Sequence, residues 1–205
     1  MLFIPERHEA LRGAPWSESA ARESIGRIVD ATCKAFDQAT LWPIHPRDLE
    51  PGQPAMPQAS LYNGAAGVVW AMRRLQRDGM AKVAIDFDDT VAGLLDHSRR
   101  FNAAAGIEAP SFLLGDSGVL LLQCKLLRDQ AAADALFALA ESNLHNPTLE
   151  MLWGSPGTML AAIHMLEDLA EPTQRSRWQA LRSRNHRACA TAATATAMHS
   201  SSFMP

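Results

Sequence analysis

Three short segments carry the residues of most chemical interest: Tyr62-Asn-Gly-Ala-Ala-Gly, Leu114-Gly-Asp-Ser-Gly and Trp153-Gly-Ser-Pro-Gly. Each is a Gly-x-x-Gly followed by an apolar run, built on Gly64 and Gly67, Gly115 and Gly118, and Gly154 and Gly157. Glycine lets a chain turn tightly or approach a neighbour closely, and the first N–H groups of a helix have no partner within it. The amides that open each run are therefore expected to be open to a negative group. Asp116, inside the second pair, is either a functional acid or an N-terminal helix acid. Tyr62 and Asn63 are placed to line an opening, although Asn before Gly is also a common turn residue. Trp153 is either a ligand wall or packing, and Ser155 stands beside it. Together these residues are the candidate site, and whether they line one cleft depends on how the runs that follow them pack.

Other familiar chemistries find no pattern. His8, His45, His97, His145, His164, His186 and His199 show neither His-x-x-x-His nor His-x-x-Glu-His spacing, so no metal-binding helix is expected. His164 falls in an apolar stripe and reads as a satisfied, partly buried residue. Cys33, Cys124 and Cys189 are odd in number and far apart, which fits a reducing compartment better than a disulfide framework. No Gly-x-Ser-x-Gly elbow occurs, and Gly154-Ser-Pro-Gly has the wrong spacing for one.

The elements that must position these residues read as helices. Amphipathic or Ala-rich patterns cover about 17–40, 65–78, 81–103, 117–128, 130–143, 157–170 and 173–184, with no convincing strand among them. Ser17 and Ser19 suit the first N-cap. Five prolines between 43 and 57 mark a linker. The first glycines of the three pairs lie 51 and 39 residues apart, a period that accommodates one helix pair with its loops. The expected fold class is thus all-α, built from helical-hairpin repeats over residues 1–184.

Composition narrows the function classes. The 205 residues are 47% apolar and 20% charged, as in ordinary globular proteins, with a net charge of −3. Such a charge draws neither nucleic acid nor anionic lipid. No apolar run reaches the ~18 residues of a membrane span, and Pro5 with its neighbouring charges interrupts any leader, so a cytoplasmic protein is expected. The end of the chain differs from the rest: residues 171–205 carry net +4 against −7 for residues 1–170. Residues 188–197 hold six Ala and three Thr without apolar periodicity, so 185–205 is expected to be disordered, or the frameshifted or truncated end of a longer reading.

Tyr62-Asn-Gly-Ala-Ala-Gly, Leu114-Gly-Asp-Ser-Gly-Val-Leu-Leu and Glu150-Met-Leu-Trp-Gly-Ser-Pro-Gly-Thr-Met-Leu-Ala-Ala together resemble the lanthionine synthetase C-like family, over about residues 15–183. The last motif is the most specific. The resemblance implies an α/α toroid of helical hairpins and an association with thioether ring formation, in which a cysteine adds to a dehydrated Ser or Thr of a peptide. Complete members are longer, and their zinc is held by a cysteine and a later Cys-His pair. Here Cys189 is followed by Ala190 and no Cys-His pair occurs, so the resemblance carries no zinc ligand and no catalytic histidine onto this chain. Without the metal a thiol stays mostly protonated near neutral pH, so no cyclase activity is expected of the chain alone, and zinc is expected only in full-length members. The implied partners are a peptide substrate or another chain, and a partial ring would associate through exposed hairpin edges.

Two alternatives come from different classes. One is a non-catalytic helical-repeat module that binds a peptide or protein. The other rests on Asp86-Phe-Asp-Asp-Thr-Val, which resembles the first motif of haloacid dehalogenase-like phosphatases. In that reading Asp86 would attack phosphorus, Asp88 would act as acid/base and Mg²⁺ would offset the charge. It needs a buried parallel strand before Asp86, and Val83-Ala-Ile is short for one.

Overall fold

The computed structural model describes residues 13, 15–45 and 56–201. Seven helices follow in order: α1 (Glu18–Ala35), α2 (Ala65–Arg77), α3 (Asp88–Ala105), α4 (Asp116–Leu127), α5 (Gln130–Ser142), α6 (Ser155–Asp168) and α7 (Pro172–Ser201). Among the described residues there is no strand, only an isolated bridge between Asp37 and Leu41. The all-helical reading holds.

Local chemistry fixes most helix ends. Ser17 caps α1 by accepting the Ala20 N–H at 3.3 Å, and Asp129 caps α5 by accepting those of Ala131 and Ala132 at 2.8 and 3.2 Å. Gly106 closes α3 in the left-handed conformation, φ 67°. Where the observed bounds depart from the expected ones, a short polar side chain competes for the backbone. The pattern over 17–40 ends as a helix at Ala35, because the Asp37 carboxylate takes the amides of Ala39 and Thr40 and folds the chain back. Those bonds hold the Asp37 carboxyl below its usual range. The pattern over 81–103 becomes helical only at Asp88, whose N–H is claimed by the Asp86 carboxylate at 3.2 Å.

At the chain's end the helix runs on past the segment where apolar periodicity stops. Residues 185–201, read as disordered or frameshifted, continue α7 as helix, and 202–205 lie outside the described residues. Trp178, Leu181 and Asn185 are buried and anchor the first half of α7 against α5 and α6. Beyond them the Ala-rich run has the highest intrinsic helix propensity, which needs no apolar stripe to persist. Residues 43–45 and 56–57 of the proline-rich linker are non-helical, and 46–55 lie outside the described residues.

Helix α4 is the centre. Every residue from Asp116 to Cys124 is buried, and α4 packs against α2, α3, α5 and α6. The core has two parts, one around Val69, Phe87, Val91 and Leu94, the other around Leu136, Ala161, Trp178 and Leu181. Val119 and Leu122 belong to the first, and Leu120, Leu121 and Cys124 to the second, so α4 joins them.

Polar bonds tie α4 to its neighbours. The Gln123 amide donates to the carbonyls of Val91 and Ala92 on α3, at 2.9 and 3.2 Å. At the other end Lys125 Nζ donates to the His164 carbonyl and to Asp168 at 2.7 Å. Arg175 completes this end of α6 by donating to the carbonyls of Leu166 and Leu169. The Lys125 hydrogen bond is the main reason the Asp168 carboxyl sits below its ordinary value of 3.8. A lowered carboxylate adds stability above its unfolded pKa and loses it as pH falls through the folded one. The stability difference between the wild type and Lys125→Met is therefore expected to be largest near neutral pH and to shrink below about pH 4, as measured by urea unfolding across pH.

Candidate functional site

The three Gly-x-x-Gly turns share one geometry. Gly64, Gly115 and Gly154 are the N-caps of α2, α4 and α6, in extended conformations any residue can adopt. Space, not φ, selects glycine. A Cβ on Gly64 would fall against the backbone of Gln58 and Ser60, and one on Gly154 against that of Thr148 and Glu150. The second glycines, Gly67, Gly118 and Gly157, press onto the carbonyls of Leu61, Phe112 and Met151 of their own turns.

Neighbouring turns then lie edge to edge. The Tyr62 N–H donates to the Leu113 carbonyl at 2.9 Å, and the Ser111 hydroxyl donates to the Leu152 carbonyl. A Cβ on Gly118 would lie 2.9 Å from the Cβ of Leu61, and one on Gly157 would lie 2.9 Å from the Cβ of Phe112. Each turn thus seats an apolar side chain on the bare second glycine of the next.

Contrary to the expectation of amides open to an anion, the three that open α2 and the first that opens α4 are taken by the loops before them. At α2 the N–H groups of Ala65, Ala66 and Gly67 donate to the carbonyls of Gln58, Ala59 and Ser60, at 2.9, 3.2 and 3.4 Å. At α4 the Asp116 N–H donates to the Ala109 carbonyl at 2.9 Å. Before α6 the Glu150 carboxylate accepts from the amides of Leu152 (2.6 Å), Trp153 and Gly154 (3.1 Å). The positive helix ends are satisfied by loop carbonyls and by one internal carboxylate.

The side chains expected to line one cleft share the row of turns but point apart. Asp116 is buried against α3, accepting from the Ser98 hydroxyl at 2.7 Å and the Asn102 amide at 3.0 Å, with Arg99 Nε at 3.6 Å. Ser155 is buried beside the Cys189 sulfur at 3.3 Å, towards α7. Tyr62 is exposed; Asn63 is exposed too, and its Oδ1 accepts from the Ser60 hydroxyl at 2.6 Å. Trp153 is partly exposed, and its carbonyl accepts from Asn146.

What the sequence did not single out is a groove of about 250 Å³ on the flank of the row. Leu61, Gly67, Trp70, Phe112, Gly118, Leu121 and Leu122 wall it, with Lys125 and His164 at its polar end. Lys125 is already engaged by Asp168 and Glu167, and His164 Nδ1 lies 3.2 Å from Glu167, so the cation at that end has partners within the chain. Trp70, exposed on a helix whose neighbours Val69 and Met72 are buried, was the available signal.

The phosphatase constellation is not assembled. Residues 81–87 are non-helical without strand pairing, so the strand before Asp86 is missing. Asp86 and Asp88 are both held by Arg73 Nη2, at 2.8 and 2.6 Å, on the surface. The Asp88 N–H and, behind it, Arg73 keep the Asp86 carboxyl below its usual range.

Zinc has no donor set here. Among the described residues no three His, Cys, Asp or Glu side chains converge as metal ligands, and burial pushes the Cys124 thiol up to about 12, far from a thiolate. Comparison with protein-family models, with curated proteins and with solved structures finds no match to the chain.

Two outcomes test this account of the turns. Gly118→Ala and Gly157→Ala force a carbonyl and a packed side chain aside and are expected to destabilise by about 1–3 kcal/mol. Gly93→Ala, in α3 with nothing within 4 Å of the new Cβ, is expected to stabilise by about 0.5–1 kcal/mol in the same denaturant titration. Asp116→Ala strands the Ser98 hydroxyl and the Asn102 amide, and is expected to cost about 1–3 kcal/mol. An unchanged unfolding midpoint for Asp116→Ala would show that the buried carboxylate is not structural.

Proposed function

We propose that the chain is a lanthionine synthetase C-like scaffold, a part of an α/α toroid whose row of Gly-x-x-Gly turns presents the groove between α2, α4 and α6 to a peptide. The observation that carries this reading is the groove itself. Its walls are apolar, it is open on one side, and its single cation is neutralised from within by Asp168. An occupant of this size and chemistry is one uncharged apolar or aromatic side chain of a bound segment, with exposed Trp70 as a rigid anchor at the mouth. The family resemblance suggests a cysteine-containing peptide with dehydrated Ser or Thr as the physiological ligand. In this reading the chain binds and orients such a peptide and the thioether bond is formed elsewhere, which is consistent with no metal-ligand group converging among the described residues.

A fluorescently labelled peptide library, varied at one position among Phe, Leu, Ala and Asp, tests the reading by anisotropy. Binding is expected to favour Phe and Leu over Asp, and Trp70→Ala is expected to weaken it about tenfold. Equal affinity for all four peptides, or none, would sink the groove as a peptide site. Incubation of the chain with zinc and a dehydrated peptide is expected to leave the thiol count unchanged. A thioether product would overturn the non-catalytic part of the proposal.

A further inference from the structure

We propose that the turn before α6 docks onto the α2 turn of a second copy of this chain, so that copies associate head to tail. The junction it would form is one the chain already makes twice within itself. Leu61 sits on Gly118 of the next turn, and Phe112 sits on Gly157 of the one after. The third residue in this register is Met151, which has no such glycine before it and is 49% exposed. Leu149 and Trp153 of the same turn are exposed alongside.

The complementary half of the junction stands at the other end of the row. Gly67 is partly exposed whereas Gly118 and Gly157 are buried, and the three atoms nearest a Cβ placed on Gly67 all belong to the Leu61 backbone of its own turn. Among the described residues, the helices at the two ends of the row expose positions that the middle helix buries. Ala71 of α2 is exposed, whereas Leu122, the residue aligned with it in α4, is 2% exposed. Ile163 of α6 is 36% exposed, whereas its counterpart Cys124 in α4 is 7%. The chain therefore carries an unused apolar donor at one end of the row and an unused glycine acceptor at the other, which is the condition for a heterologous contact between identical copies.

Charge favours the same partner. Residues 172–201, which include the helix beside α6, hold five arginines and no acid, whereas residues 1–171 hold 14 basic and 22 acidic residues. Arg177 and Arg184 are paired with Asp134 and Glu141 of their own chain, and the remaining charge difference between the two parts favours a heterologous over a like-to-like contact. This inference rests on the junction geometry and not on the peptide reading.

Sedimentation equilibrium of the full chain at several loading concentrations tests it. The wild type is expected to associate with concentration, and Met151→Asp to raise the dissociation constant at least tenfold. Ile28→Asp, on the exposed face of α1, is expected to leave it unchanged. Mixing Met151→Cys with Ala71→Cys under a mild oxidant is expected to yield an inter-chain disulfide that neither variant forms alone. A wild type that stays monomeric, association indifferent to Met151→Asp, or absence of the mixed cross-link each overturns the proposal. Because Gly67 also lines the groove, the labelled peptides are titrated against Met151→Asp, in which no second copy covers that glycine; peptide binding there beside a wild type that stays monomeric sinks this inference and leaves the groove standing.

Discussion

The close approach of backbone to backbone at the second glycines is the constraint on which the rest of the structure depends. At Gly67, Gly118 and Gly157 the first turn of a helix presses onto a carbonyl of the loop that leads into it. No side chain can occupy that space, and the approach lets loop carbonyls accept the amides that a helix start leaves without partners. It also leaves a shallow seat into which Leu61 or Phe112 of the adjacent turn fits. One missing carbon per turn thus satisfies the backbone, sets the spacing between α2, α4 and α6, and creates the wall of the groove.

Burial of α4 follows from this arrangement, and burial in turn dictates where its polar residues must go. An acid at the helix start and a cation near its end suit the macrodipole, but neither could be covered without a specific partner. Asp116 finds Ser98 and Asn102 on α3, Gln123 finds two α3 carbonyls, and Lys125 finds the end of α6. Apolar packing alone would let α3 and α6 slide along α4. These directional bonds, being costly to leave half-made, fix the register of both neighbours.

Much of the fold was legible because its signals are local. Glycine pairs, apolar periodicity and the Ser17 cap placed most of the helix starts to within a few residues. The start of α3 was not legible, since it turns on the Asp86 side chain competing for the Asp88 amide, a choice periodicity does not register. Nor was the length of α7, where alanine propensity acts without an apolar stripe. At the turns the glycines were found and their chemistry misjudged. Open amides and saturated amides have the same sequence, and only the path of the loop from Gln58 to Ser60, or of Glu150 beneath its own turn, distinguishes them. The groove belongs to three helices at once, so no single segment announces it.

The distribution of polar groups bears on the kind of function this surface can have. Acid–base or nucleophilic chemistry needs a titratable group that faces an open space and is not already committed to a partner. Here Asp116 is committed to α3, Glu150 to the amides of its own turn, and Asp86 and Asp88 to Arg73, while Lys125 at the groove is balanced by Asp168. Exposed without such commitments are Trp70, Met151, Trp153 and Leu149, all apolar or aromatic and all on the row of turns or the helix it opens. Residues of that kind contribute to binding through area and shape, with little loss of conformational entropy for the tryptophans. These are the side chains that the proposed contacts with a peptide or a second copy would use.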